Sequence, residues 1–318
     1  MIFLQELKRL GLLDSLHITI AQIGSRKLSL NDDLGSQEWQ IFAPNLTIYG
    51  FDADVDACEA ANQDLQERAP NWNEIHLPIA LGRETTEVTL YVTKNPFCSS
   101  LYPPDENFVN RFPRVGHHSS LDFTVEIDVM ALDDFLDQEK INSIDVLIID
   151  VQGADLDVLQ GGQKILAQSV AAIQTEIEFN SLYIGQPLFA DVDQFLRANG
   201  FSLFDFNLAY RPRTEVFLPP PYRRGQLLWG DGYYIRDLIK DDSSNWLTQD
   251  GKIFKLACIA DCWGFSDYAL ELYAYILKNF PESSFVQLGM KQAVIDSLLA
   301  IPDVTEMGIE SLSILEDI

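Results

Sequence analysis

The most regular pattern in the chain is a succession of short apolar runs, rich in β-branched residues and bounded by turn residues. They fall at 17–22, 46–52, 75–81, 88–93, 124–129, 146–150, 171–179, 202–206 and 226–236, and read as strands. Helical spacing between them predicts helices over 55–68, 132–138, 155–167 and 192–199, the last stopped by Gly200. Strand–helix alternation with near-continuously apolar strands, such as the VLII of 146–149, predicts a mostly parallel sheet covered on both faces. The runs EVTLYV (87–92) and TVEIDV (124–129) alternate more cleanly and are expected at an edge or in a flap.

The texture changes after Leu238. The stretch DDSSNWLTQDG reads as a polar linker, and helices follow at 267–279 and 285–299, bounded by Pro281 and Pro302. This predicts a small C-terminal helical appendage, packed on the domain or on a second copy of the chain as a homodimer. At the other end, residues 1–16 have apolar spacing interrupted by Glu6, Lys8 and Arg9, which predicts an amphipathic helix and not a secretory signal. The expected division is therefore 1–16, 17–240 and 241–318.

Composition narrows the function class. With 318 residues, 47% hydrophobic and 22% charged, the chain is sized for one large α/β domain and an appendage. Its 22 basic and 48 acidic residues give a net charge of −26, which repels phosphate backbones and anionic lipid and argues against nucleic-acid or membrane partners. No stretch approaches the roughly 18 apolar residues of a membrane span, and a cytoplasmic protein is expected. The four cysteines (Cys58, Cys98, Cys258, Cys262) lack the partners of a zinc site and are expected to be reduced and buried.

In open α/β sheets ligands bind beyond the carboxyl ends of the strands. The first strand ends at AQIGSR, where Gly24 lets the backbone pass close to a ligand, but the two or three glycines of a dinucleotide-binding turn are missing. That disfavours a nicotinamide-dependent oxidoreductase. The second strand ends at Asp52, whose carboxylate suits the two hydroxyls of a ribose. Asp52 or Asp54 also suits the cap of the following helix, and Asp54 is the expected cap. Ala80 and Leu81 are placed for an apolar contact with an adenine ring. The segment IDVLIIDVQGADLDVLQGG carries Asp150 at a strand tip and Gly153 for a tight turn, while Asp155 and Asp157 suit a helix N-terminus.

This last segment resembles the hallmark of the FkbM family of S-adenosylmethionine-dependent methyltransferases. YGFDADVDACEAAN, IALGRETTEVTLYVT with CSSLYPP, VEIDVMALDDFL, AIQTEIEFNSLYIGQPLFADVDQFLRANGF and GQLLWGDGYYIR resemble its other blocks in the right order, over about 17–236. The resemblance implies a Rossmann-like class I methyltransferase fold: a mostly parallel seven-stranded sheet with helices on both faces, here with the helical appendage. It also implies S-adenosylmethionine as cofactor, with Gln22, Gly24, Ser25, Asp52, Ala53, Ala80, Leu81, Ser100 and Asp150 as binding candidates. The chain departs from the family at the first turn, where Gln22 replaces a carboxylate and supplies no negative charge.

The implied reaction is methyl transfer to a hydroxyl of a small molecule or glycan: a sugar, glycolipid or secondary metabolite. It requires alignment of oxygen, methyl and sulfur and removal of a proton. Asp150, His117 and His118 are the candidate bases, with Glu176 or Glu178 further possibilities, and Asp150 with these glutamates is a candidate magnesium site. Ser99 and Ser100 can bond a ligand or cap a loop. Arg211, Arg213, Arg223 and Arg224 form either a basic rim for an anionic substrate or a counterweight to the acidic surface. Tyr183, Tyr222, Trp229 and Tyr233 stack on a ring or fill the core. The competing reading is a non-catalytic methyltransferase-like scaffold that binds a protein partner through its C-terminal helices.

Overall fold

The apolar runs pair into two sheets in the computed structural model, which describes residues 1–27, 33–112, 114–213, 225–239 and 245–308. In chain order the strands are β1 (Ile18–Ile23), β2 (Leu46–Phe51), β3 (Asn73–Leu77), β4 (Ala80–Gly82), β5 (Thr86–Thr93), β6 (Leu121–Ala131), β7 (Val146–Ile149), β8 (Ala172–Glu178), β9 (Ser202–Arg211) and β10 (Gln226–Ile235). Seven of them form the main sheet in the order β3-β2-β1-β7-β8-β10-β9. Its pairs are parallel except those of β10, which runs antiparallel to both neighbours. This is the class I methyltransferase sheet. Strand order reverses between β1 and β7, so their carboxyl ends open a crevice.

The run at 75–81 is two strands, not one. Pro78 has no N–H to continue a ladder, and the chain leaves the main sheet after Leu77. It enters a second sheet, β4-β6-β5, in which β5 and β6 form a long antiparallel ribbon.

Helices cover both faces of the main sheet. Before β1 stands α1 (Leu4–Arg9), and α2 (Val55–Arg68) links β2 to β3. The ribbon's connection carries two single turns, α3 (Glu106–Val109) and α4 (Val115–His118). After β6 come α5 (Leu132–Glu139), then α6 (Asp155–Gly161) and α7 (Gln163–Gln168), which break the predicted 155–167 helix at Gly162, and α8 (Phe189–Ala198). The C-terminal part holds α9 (Asp250–Cys262), α10 (Ser266–Asn279), α11 (Ser284–Gln287), α12 (Met290–Leu299) and α13 (Pro302–Met307). Among the described residues no helix is long and apolar enough to cross a membrane.

Strand alternation splits the core in two. Ala21, Ile23, Leu147, Ile149, Ile173 and Ile177 pack against α5 to α8. Ile18, Ile20, Ile48 and Val146 point the other way, into a cluster shared with α1, α9, α10 and α12. Between β1 and β2 the described residues form only the short 3-10 turns Leu34–Ser36 and Glu38–Phe42. The C-terminal helices fill that face of the sheet. Two buried carboxylates fix them there. Asp145, before β7, accepts the Thr19 N–H and the Lys255 ammonium of α9, each at 2.8 Å. Asp261, fully buried in α9, accepts the N–H groups of Ile2, Phe3 and Leu4 at 2.8, 2.9 and 3.0 Å and the Ser266 hydroxyl at 2.6 Å.

Candidate active site

A cavity of about 1370 Å³ opens over the carboxyl ends of β1, β2 and β7, roofed by the β5–β6 ribbon and its connection. That exceeds the roughly 300–1,000 Å³ of a drug-sized ligand site, so it has room for two ligands side by side.

The first turn is built by close packing. Gly24 has φ +80°, and a Cβ there would stand 1.9 Å from the Asp150 carbonyl oxygen. The N–H groups of Gly24 and Ser25 both donate to the Phe51 carbonyl, at 2.8 and 3.0 Å. The Ser25 hydroxyl is buried at 3.0 Å from His76 Nδ1, and His76 Nε2 lies 3.0 Å from Glu74. Lys27 closes the network by donating to Asp33 and Glu74 at 2.9 Å. Ser25 thus anchors the turn to β3 instead of lining the cavity. Gln22 also stands off the cavity wall; alternation puts it on the face of Ile18 and Ile20, and its Oε1 is buried without a hydrogen-bond partner.

Asp52 does face the cavity, beside Ala53. Its Oδ2 accepts the Arg26 N–H at 3.1 Å and its Oδ1 the Asp54 N–H at 2.9 Å. Each oxygen therefore keeps a lone pair for a ligand hydroxyl. Burial raises the Asp52 carboxyl above its ordinary range, with Arg26 opposing. Asp54 caps α2 by accepting the Ala57 N–H at 2.9 Å and also pairs with Arg26, whose guanidinium lies 5.2 Å from the Phe97 ring centroid. Phe51, Ile79, Ala80 and Leu81 form the apolar floor next to Asp52. A carboxylate with spare lone pairs beside a flat apolar floor fits the ribose and adenine of a nucleoside cofactor.

Asp150 projects from the β7 tip and is exposed to the cavity. Behind it the backbone turns through two positive φ angles, Gln152 at 55° and Gly153 at 89°. The first is an uncommon conformation for a side-chain-bearing residue. It aims the Gln152 amide inward, where Nε2 donates to Asp150 Oδ1 at 2.7 Å and to Glu176 Oε2 at 2.8 Å. Its Oε1 lies 3.0 Å from the Tyr183 hydroxyl, itself 3.0 Å from the Cys98 carbonyl. Ser100, buried, donates to the Gln152 carbonyl at 2.6 Å, tying the connection of the ribbon to this turn.

Asp155, Glu176 and Glu178 lie buried behind Asp150. Burial raises all three carboxyls; Glu178 adds to the rise at Asp155, and Asp150 adds at Glu176 and Glu178. Glu178 is pushed up to about 8. An amide, not a cation, bridges Asp150 and Glu176, and among the described residues no three His, Cys, Asp or Glu groups gather in a metal-binding arrangement.

The two histidines sit on α4, both exposed, with ring centroids 5.5 Å apart; His118 lines the cavity and His117 does not. Trp229 lines the far wall with the Arg211 guanidinium 4.4 Å from its centroid, whereas Tyr233 packs edge-on against Trp263. Arg213 donates to Gln226. Arg223, Arg224 and Tyr222 lie outside the described residues. Cys58, Cys258 and Cys262 are buried free thiols, while Cys98 is half-buried beside the cavity. Reading the sequence alone missed Arg26 and Gln152, and it offered Tyr183 as a stacking or core residue, not as the buried hydroxyl that donates to Gln152 and the Cys98 carbonyl. Only the turn signal at Gly153 marked the Gln152 position.

Residues 42–203, just over half of the chain, match the family described as the methyltransferase FkbM domain. Over 73 residues the chain is 38% identical to the 2-O-methyltransferase NoeI of Sinorhizobium fredii (strain NBRC 101917 / NGR234), a match covering 23% of this chain and 30% of that protein's length. A solved methyltransferase FkbM from Methylobacillus flagellatus KT aligns at 14% identity and a TM-score of 0.36, over 68% of this chain and 43% of that one. Magnesium protoporphyrin IX methyltransferase from Synechocystis PCC 6803, solved with bound SAM, aligns at 12% identity and a TM-score of 0.35, over 73% and 78%. With its sheet order, its strand-tip crevice and the extent of the family match, the chain belongs to the FkbM methyltransferase domain family.

Proposed function

We propose that the protein is an S-adenosylmethionine-dependent methyltransferase acting on a hydroxyl of a small molecule or glycan. One observation carries the reading. Asp52 stands at the β2 tip with one lone pair left on each oxygen, over an apolar floor, in a cavity that also receives Asp150. Asp52 would hold the ribose hydroxyls, and Ala80 and Leu81 would lie against the adenine. The bound cofactor supplies an electrophilic methyl group on a sulfonium sulfur. On this chain's side, Asp150 would take up the acceptor hydroxyl's proton, and the ribbon would exclude water from the site. Gln152 holds Asp150 through Oδ1 at the cavity wall. His118, on the cavity wall, is the alternative base. The 2-O-methyltransferase activity of the partial relative supports oxygen as the acceptor atom.

Calorimetric titration with S-adenosylmethionine and S-adenosylhomocysteine tests the reading. Saturable binding of both is expected. No binding at millimolar concentration overturns it and leaves the non-catalytic scaffold, which the buried, unpartnered Gln22 Oε1 in place of the family's carboxylate would then explain.

A further inference from the structure

The β5–β6 ribbon turns its apolar face to the cavity. Its register pairs Val88 with Ile127, Leu90 with Val125 and Val92 with Phe123 on one side. The other side carries Thr89, whose hydroxyl donates to Glu126 at 2.8 Å, and Tyr91 opposite Thr124. A ribbon evolved only to cover the site would bury its apolar ladder under protein. Instead the ladder lines the cavity, where Phe123 is 53% and Val125 41% exposed. Leaving side chains of this size in water forfeits the burial that drives folding. An apolar ligand body is the occupant that recovers it.

Charge supplies the second half. The cavity also receives Lys94 and Arg114 from the connection of the ribbon and Arg211 from the end of β9. Among the described residues none of these three forms an ion pair, whereas Arg26, on the Asp52 side, is neutralised by Asp54. Arg211 is held over Trp229 and donates to the Tyr210 carbonyl at 3.1 Å. Asp122 is the acid that lines the cavity on this side. In a chain of net charge −26, three cations left without carboxylate partners among the described residues gather around one cavity and can attract an acidic group.

We infer that the half of the cavity between the ribbon and Trp229 is an acceptor subsite for an amphipathic anion. The apolar body of the acceptor lies on Val92, Phe123 and Val125, and its acidic group faces Lys94, Arg114 and Arg211. This extends the proposed function and rests on it for the identity of the neighbouring cofactor half, but the subsite is measurable without turnover.

Two fluorescent probes that differ by one sulfonate test it: 1-anilinonaphthalene-8-sulfonate and the uncharged N-phenyl-1-naphthylamine, each titrated into the full chain with and without saturating S-adenosylhomocysteine. The sulfonate is expected to bind about tenfold tighter, as a partly desolvated charge contact allows. The double variant Lys94→Gln, Arg211→Gln removes that advantage and leaves the neutral probe unchanged. Phe123→Ser weakens both probes, Phe123→Leu restores them, and Glu126→Gln on the polar side of the ribbon changes neither. Equal affinity for the two probes, or indifference to Phe123→Ser in a variant with an unaltered melting curve, overturns the subsite. Displacement of the sulfonate by S-adenosylhomocysteine also overturns it, by placing the probe in the cofactor half. If S-adenosylhomocysteine does not bind while the variants act as expected, the cofactor assignment fails and the subsite stands.

Discussion

Three residues of the crevice are each placed by a neighbour distant in sequence. Asp52 is held by two backbone N–H groups and keeps lone pairs for a ligand. Asp52→Ala should therefore weaken S-adenosylhomocysteine binding by about 1–3 kcal/mol, roughly 5- to 150-fold, read by calorimetry. Unchanged affinity would show that the ribose lies elsewhere. Gly24 has no room for a methyl group against the Asp150 carbonyl, and its φ is positive. Gly24→Ala should lower stability by about 1–3 kcal/mol and drop the melting temperature, because the turn must move away from β7. Asp52 and Asp150 were legible in the sequence, since an acid after an apolar run marks a strand tip. Gln152 was not. Its hydrogen bonds run to Glu176 and Tyr183, which only the folded sheet brings to it.

At the scale of elements, β8 carries the most consequential anomaly. Glu176 and Glu178 share one face of this strand and are both buried. The Glu178 carboxyl ordinarily titrates at 4.5 and is raised to about 8 in the fold, burial first and Asp150 second. Over that window the folded state keeps a proton that the unfolded chain has lost. The contribution of Glu178 to stability is thus full below about 4.5 and is lost as pH rises through about 8. Glu178→Gln should flatten the fall of melting temperature between pH 5 and pH 8; an unaltered slope would assign it to Asp155 and Glu176. Element positions were readable where burial is periodic or complete, as in β7. Two were not. The 75–81 run looked continuous, although Pro78 divides it between sheets. The α9 helix shows no polar stripe, because Ile253 to Cys262 are buried nearly all round except Lys255, so it offers no amphipathic period to detect.

For the whole molecule, among the described residues the sheet face of Ile18, Ile20, Ile48 and Val146 is covered mainly by α1, α9, α10, α12 and the short turns before β2. A chain ending at Leu238 leaves that face in water. It should elute as large aggregates in size-exclusion chromatography, and recovery of a well-behaved monomer would mean that the tail is dispensable to the core. The tie between the two ends is similarly direct. Asp261→Ala removes the acceptor for three backbone N–H groups, two of them in buried bonds, and should cost about 2–5 kcal/mol in urea denaturation.

The Asp261 contact also sets a clock on biosynthesis. Residues 2 to 4 find their hydrogen-bond partner only after residue 261 has been made. At about 5–20 residues per second, that is a delay on the order of tens of seconds. Once β7 has been made, β1, β2 and β7 can pair, but the apolar side of the young sheet stays open to solvent and to other nascent chains until α9 follows. Slow translation, a stalled message or a shortage of chaperone would therefore act most strongly on this protein between the appearance of its sheet and the release of α9, α10 and α12.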